Sequence, residues 1–305
     1  MTVPDTPLLA GLELGGTKTL AVLARGTQII DRYRIPTDSP DIVLPAVDAW
    51  FAEAAARHGA PQALGIASFG PLALDPRAPD HGCLTATPKP GWAGTALLHR
   101  FADSLGVPAR LDTDVNGAAL AEQRWGAAQG AAVVVYLTIG TGVGAGVVID
   151  GRPVHGHAHP EFGHVRLRRV AGDSFAGICP WHGDCLEGLV SGPALAARAG
   201  MAGTAITADH PVWDAVAADL GEAMAILILT MAPERILIGG GVGMGQPQLL
   251  PRIAAATADR LAGYCPEAVA RLENGLICAP ALGDDAGPMG AIALAMDALA
   301  MDALA

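Results

Sequence analysis

Two stretches of the chain are built alike. Leu8 to Leu23 reads LLAGLELGGTKTLAVL, and Val133 to Asp150 reads VVVYLTIGTGVGAGVVID. Each is an apolar run, a Gly/Thr turn and a second apolar run, which is a hairpin signal. A hairpin used twice in 305 residues predicts two α/β halves, each with its own core. Helical periodicity over 41–58, a short buried-type strand at 63–68, a helix over 94–105 and a strand at 109–111 fill the first half. After the second hairpin comes an irregular region rich in His, Gly and Cys, from about residue 152 to 191. Helices are expected over 212–231, 246–261 and 286 to the end, with strands at 235–238 and 276–278. No Pro/Ser linker separates the halves. The duplicated hairpin places a smaller domain at 1–115 and a larger one at 116–285, with the helix over 286–305 packing back on the first. The tail repeats MDALA twice, a helix-compatible pattern with no functional content of its own.

Composition narrows the class. Aromatics make up 4%, so Ala, Val, Leu and Ile must fill the cores, and 39 glycines point to tight turns and close backbone approaches. A formal net charge of -11 argues against a nucleic-acid partner, which normally meets a basic face. The first residues, MTVPDTPLLAG, show no leader pattern, and no apolar run reaches the length of a membrane span. A soluble, cytoplasmic protein is expected. Five irregularly spaced cysteines do not form a secreted disulfide framework.

Three glycine loops could bind phosphate. Gly15, Gly16, Thr17 and Lys18 form the first, Gly140, Thr141 and Gly142 the second, and Gly239, Gly240 and Gly241 the third. Backbone N–H groups, hydroxyls and an ammonium bind phosphate oxygens in such turns. None is a P-loop, because GxxxxGK[ST] is absent. One hairpin turn alone is usually just a turn; three in one chain suit a nucleoside triphosphate. Asp112-Thr113-Asp114-Val115-Asn116 stands where a strand gives way to a helix. One carboxylate can cap the helix while the other takes a proton from a substrate hydroxyl. His164, Cys179, His182 and Cys185 supply two imidazoles and two thiolates, a set suited to closed tetrahedral zinc of the structural kind. His155, His157 and His159 are weaker candidates for the fourth ligand. Cys83, Cys265 and Cys278 have no such company and are expected in cores.

Taken in order, these motifs resemble the ROK family of sugar kinases and repressors, within the actin-like ATPase superfamily. ELGGTK, IGTGVGAG, the E-x-G-H of Glu161 to His164, CPWHGDCLE, the glycines at 239–241 and LGDDAG at 282–287 carry the resemblance across most of the chain. SFGPL at 68–72, TPKPGW at 87–92 and HPE at 159–161 make it most similar to the bacterial fructokinase branch. The resemblance implies a two-domain, ribonuclease H-like fold with a cleft between the domains. It implies ATP with Mg2+ at the glycine loops, Asp114 as general base, sugar contacts from Thr113, Asn116, Glu161, His164 and Glu187, structural Zn2+ on His164, Cys179, His182 and Cys185, and a homodimer. Thr113 stands where glucose-type members usually have Asn, and Glu13 where many have Asp; the first favours fructose as substrate. Another hexokinase of the family, for mannose, glucose or an N-acylhexosamine, is the alternative, because small pocket differences separate these sugars. A repressor of the family would carry a helix-turn-helix before ELGGTK, where about a dozen residues stand here. A silent sugar-binding protein would be expected to have lost Asp114.

Overall fold

Strand pairing repeats the sequence duplication. In the computed structural model, which describes residues 6–303, the first sheet is built from β1 (Leu8–Leu14), β2 (Lys18–Arg25), β3 (Gln28–Pro36), β4 (Ala63–Ser68) and β5 (Ala109–Thr113), in the order β3-β2-β1-β4-β5. The second holds β6 (Val133–Ile139), β7 (Val143–Ile149), β8 (Arg152–Pro153), β9 (Arg235–Gly239) and β10 (Ile277–Cys278), in the order β8-β7-β6-β9-β10. The two orders are the same pattern. In each, the leading strand pairs antiparallel with the one after the glycine turn and parallel with the strand that returns by a helical crossover.

The helices are α1 (Pro40–His58), α2 (Leu97–Leu105), α3 (Asp114–Trp125), α4 (Leu186–Val190), α5 (Gly192–Ala199), α6 (Val212–Met231), α7 (Gly240–Gly245), α8 (Leu249–Leu261), α9 (Pro266–Glu273) and α10 (Ala286–Asp302). Side chains alternate along β1. Leu8, Ala10, Leu12 and Leu14 join Trp50 and Phe51 of α1 and Phe101 of α2 in one core cluster, while Leu9 joins Ile292, Ala295 and Ala298 of α10 on the opposite side. Both faces of β1 are therefore covered, which is why its sequence is apolar throughout.

α10 packs against β1, β4 and β5, and the reason for its alanines lies at Gly65. A Cβ there would stand 2.5 Å from the backbone nitrogen of Ala295 and even closer to the carbonyl oxygen of Ala291. Only small residues on both elements allow this approach. The first MDALA copy lies within α10, with Ala298 buried. Residues 1–5 and the last two residues of the second copy lie outside the described residues.

Contacts divide the chain into two units. One comprises the chain up to Ala121, Pro153–His159 and the segment from Asp284; the other comprises Glu122–Arg152 and Pro160–Gly283. The boundary drawn at 115/116 thus lies further on, inside α3, and 153–159 groups with the first unit rather than the second. A helix that runs through a boundary leaves no compositional mark. Just past that boundary, the fully buried Glu122 accepts hydrogen bonds from the N–H groups of Ala127 (2.7 Å), Ala281 (3.0 Å) and Leu282 (2.8 Å). Three charge-assisted bonds to main chain compensate the buried carboxylate. Among the described residues no helix is long and apolar enough to cross a membrane.

Replacing Gly65 by Ala forces α10 away from the sheet. Overpacking of this kind costs about 1–3 kcal/mol, and urea unfolding should show a lower midpoint with an unchanged slope.

Candidate active site

The first glycine loop joins β1 to β2, and its carbonyl groups all have protein partners. Thr37 donates its hydroxyl to the Gly15 oxygen (2.8 Å) and its N–H to the Thr17 oxygen (3.0 Å). Lys89 donates its ammonium to the Gly16 oxygen (2.7 Å). The N–H groups of Gly16 and Thr17 have no acceptor among the described residues. A turn that directs its oxygens inward and leaves successive N–H groups unpaired is an anion-binding nest.

Below this loop stands Glu13. One of its carboxylate oxygens is buried without a hydrogen-bond partner. Burial pushes its pKa up to about 7; Lys18 opposes the shift, and Asp114, Asp284 and Asp285 add to it. Glu13 and Asp114 are thus two neighbouring carboxylates beside a phosphate-type loop, with the Asp114 charge disfavouring ionisation of Glu13.

Asp112 and Asp114 have separate tasks. Asp112 is fully buried and accepts from the Thr113 N–H (2.8 Å) and from Asn116 Nδ2 (2.7 Å), while His155 Nε2 lies 3.0 Å from its other oxygen. The helix cap is Thr113, whose hydroxyl accepts from the Asn116 N–H (3.2 Å). Thr113 and Asn116 are both buried, and these contacts fix the turn that presents Asp114 as the first residue of α3. Asp114 Oδ1 accepts from the Val115 N–H (2.9 Å).

In the second unit the loop between β6 and β7 repeats the arrangement. The Gly140 oxygen accepts from Gly192 N–H (2.7 Å), the Gly142 oxygen from Gly140 N–H (2.9 Å), and the N–H groups of Thr141 and Gly142 have no acceptor among the described residues. Glu187, in the first turn of α4, accepts from the Val143 N–H at the loop's end (3.0 Å). Gly239 and Gly240 press on β6: a Cβ at Gly240, where φ is +80°, would meet the Ile139 backbone at 2.5 Å. Gly241 faces open space.

His164, Cys179, His182 and Cys185 converge, with all four ligand atoms within 4.8 Å of one another. Cys179 Sγ lies 3.8 Å from His164 Nδ1 and 3.6 Å from His182 Nδ1, and Cys185 Sγ lies 3.6 Å from His164 Nδ1. Zinc bonds near 2.3 Å to sulfur and 2.0–2.1 Å to nitrogen set a tetrahedral S···N edge of about 3.5 Å. The donor set and its spacing fit that ion. His155 and His159 are engaged elsewhere, on Asp112 and on the Leu72 N–H (3.0 Å), so neither supplies the fourth ligand. Glu161 lies three residues before His164; partial burial raises its carboxyl above the ordinary range, His164 opposes the shift and Glu187 adds to it.

An ionic network holds this irregular segment on the helices. Arg198 of α5 pairs with Asp219 of α6 (2.8 Å) and with Asp173, and Arg169 pairs with Asp173 (2.7 Å) and Asp184 (3.5 Å). Asp219 is 1% exposed. Its charge is tolerable there only with Arg198 in place.

The profile of the ROK family matches residues 9–298. The chain belongs to the ROK family. A fructokinase of Pediococcus pentosaceus is 41% identical over 293 residues, covering 96% of this chain and 99% of the relative. A fructokinase of Zymomonas mobilis is 41% identical over 299 residues, covering 96% and 98%. A ROK family glucokinase from Streptomyces griseus, solved in complex with glucose and AMPPNP, superposes with a TM-score of 0.76 at 26% identity, covering 95% of this chain and 99% of that one. The two repeated sheets are those of the two-domain actin-like ATPase fold. Within this ROK chain, sequence reasoning gave no role to Thr37 or Lys89 and weighed His155 only as a metal ligand; the three act through contacts 22, 73 and 43 residues away.

Glu13 makes stability pH-dependent. Its folded pKa near 7 exceeds the ordinary glutamate value of 4.5, so between those values the native state binds more protons than the unfolded chain. Stability is therefore fully present below about pH 4.5 and declines as pH rises through 7, by up to about 3 kcal/mol. Glu13→Gln should flatten this decline in ligand-free thermal unfolding between pH 5 and 8. A decline unchanged by the substitution would assign it to other groups.

Proposed function

We propose that this chain is a fructokinase, transferring the γ-phosphoryl group of ATP to D-fructose to give fructose 6-phosphate. The single observation that carries the reading is the near-full-length similarity to proteins named fructokinase, at 41% identity. The paired loops with unpartnered N–H groups support a nucleotide triphosphate as the phosphoryl donor.

Asp114 is the general base. A sugar alcohol is a weak nucleophile at neutral pH, so a carboxylate that accepts the hydroxyl proton as the oxygen attacks phosphorus lowers the barrier. Its neighbours Asp112, Thr113 and Asn116 hold the turn, and Thr113 and Asn116 add to the sugar pocket. Glu161, Glu187 and His164 bind sugar hydroxyls: carboxylate oxygens accept from them, and His164, with Nδ1 towards the sulfurs, keeps Nε2 for a further hydrogen bond. Gly15, Gly16, Thr17, Lys18, Gly140, Thr141, Gly142 and Gly239 to Gly241 hold the nucleotide. Glu13, beside the first loop, is the carboxylate suited to Mg2+, which when bound neutralises charge on the transferring phosphate. Zn2+ on His164, Cys179, His182 and Cys185 is a brace for Glu161 and Glu187 rather than a reaction centre. A cytoplasmic homodimer completes the reading and rests on the family resemblance.

Asp114→Asn should lower kcat by about 10²–10⁴-fold with little change in KM. The wild-type chain should turn over fructose faster than mannose or glucose in a coupled ADP assay, and 31P NMR should show the 6-phosphate. Preferred turnover of mannose, glucose or an N-acylhexosamine would move the chain to another hexokinase of the family. Cys185→Ser should lose the bound zinc in elemental analysis, and fructose affinity and the unfolding temperature should fall together. Unchanged fructose affinity after metal loss would remove the brace.

A further inference from the structure

Gly142 lies on the second glycine loop, yet its backbone does not call for glycine, because its φ falls outside the left-handed region. What excludes a side chain there is Glu187. A Cβ at Gly142 would stand 2.7 Å from Glu187 Oε2, the same oxygen that accepts from the Val143 N–H at 3.0 Å. A second bond docks the end of α4 on the loop, for Gly192, two residues past that helix, donates its N–H to the Gly140 oxygen (2.7 Å). On the carbonyl side of Val143 stands the stretch that carries the other glutamate: a Cβ at Gly163, two residues after Glu161, would overlap the Val143 oxygen. The end of the glycine loop is thus in contact with both segments that bear Glu161 and Glu187.

Glu187 is half-buried, and only one of its carboxylate oxygens is engaged. Oε2 is committed to the loop, whereas Oε1 has no hydrogen-bond partner among the described residues. A carboxylate free at both oxygens turns about its last torsion; one held at Oε2 presents Oε1 in a fixed direction, as an acceptor for a hydroxyl. We propose that Gly142 and Val143 are positioning residues for the sugar pocket: they hold Glu187 so that Oε1 meets a sugar hydroxyl, and they link occupancy of that pocket to order in the nucleotide loop. The inference rests on the kinase reading and deepens it, giving a loop expected to bind nucleotide a share in sugar recognition. The link is reciprocal. A hydroxyl on Oε1 steadies the carboxylate and with it the Val143 N–H, and a nucleotide that orders the loop steadies the carboxylate for the sugar. Whichever ligand arrives second meets a loop already ordered.

The test is calorimetric titration of the full chain with D-fructose in the absence of nucleotide, for the wild type, Gly142→Ala and Thr141→Ala. A methyl group at position 142 pushes the Glu187 carboxylate off the Val143 N–H, so Gly142→Ala should weaken fructose binding at least about fivefold although no nucleotide is present. Thr141 is exposed and its side chain makes no hydrogen bond among the described residues, so Thr141→Ala should stay within about twofold of wild type. Titration with AMPPNP and Mg2+ gives the second readout: saturating fructose should tighten AMPPNP at least about fivefold in the wild type and less than about twofold in Gly142→Ala. Unchanged fructose affinity in Gly142→Ala, or equal losses in Gly142→Ala and Thr141→Ala, would overturn the proposal. If Gly142→Ala does not fold, hydrogen exchange at the Val143 amide of the wild type decides: fructose alone should slow it, and unchanged exchange overturns the proposal. A wild type that binds mannose or glucose in place of fructose, with the same dependence on Gly142, supports the proposal and refutes fructose as the substrate. A wild type that binds no hexose removes the kinase reading, and the proposal with it.

Discussion

The direction in which a few peptide groups point governs the chemistry available to this chain. At Gly15 to Thr17 every carbonyl is taken by Thr37 or Lys89, so the free hydrogen-bonding capacity of the turn is entirely donor. The same polarity appears at Thr141 and Gly142, where the Gly140 and Gly142 oxygens accept from the N–H groups of Gly192 and Gly140. Neither loop needs a helix dipole or a P-loop to attract phosphate. What each needs is a sheet rigid enough to hold the turn, and β1, covered on both faces by leucines, alanines and α10, supplies that rigidity in the first unit.

Much of this was legible in the sequence because the signals are local. The two hairpins, the strand at 63–68 and the helix at 212–231 follow from apolar runs and periodicity. β3, α5 and α9 are among the elements that were not legible. β3 has charged residues at Asp31, Arg32 and Arg34 and stands at the sheet edge, where such charges discourage further strand pairing. α5 and α9 are eight residues each, with a proline in the first turn, too short for a periodic signal. Boundaries failed for a different reason: α3 is a continuous helix that belongs to both units.

Roles within the candidate site divide along the same line. Residue types and order singled out Asp112 and Asp114 together, but only three-dimensional contacts distinguish them. Asp112 has no exposed surface, and its Oδ1 is taken by Thr113, Asn116 and His155. Asp114 begins the helix that this scaffold fixes. The fourth member of the Cys/His quartet shows the same limit: four histidines crowd residues 155–164, and spacing could not rank them, whereas the fold sends His155 to Asp112, His159 to Leu72 and only His164 to the sulfurs.

Two kinds of force then hold the irregular segment that carries Glu161 and Glu187. With few apolar side chains available, it cannot rely on a core of its own. The Cys/His quartet closes it near the carboxylates, and the Arg169, Arg198, Asp173 and Asp219 network pins its other end to α5 and α6. The network is buried, so removing one partner leaves a charge uncompensated, a loss of about 3–5 kcal/mol. A polar pocket for a polyol needs carboxylates that do not move, and in a glycine-rich segment that immobility must come from cross-links and ion pairs rather than from packing. On the proposed zinc reading, the metal-type site and the ionic network are one device: the first would set where the two glutamates stand, and the second keeps the segment attached to α5 and α6.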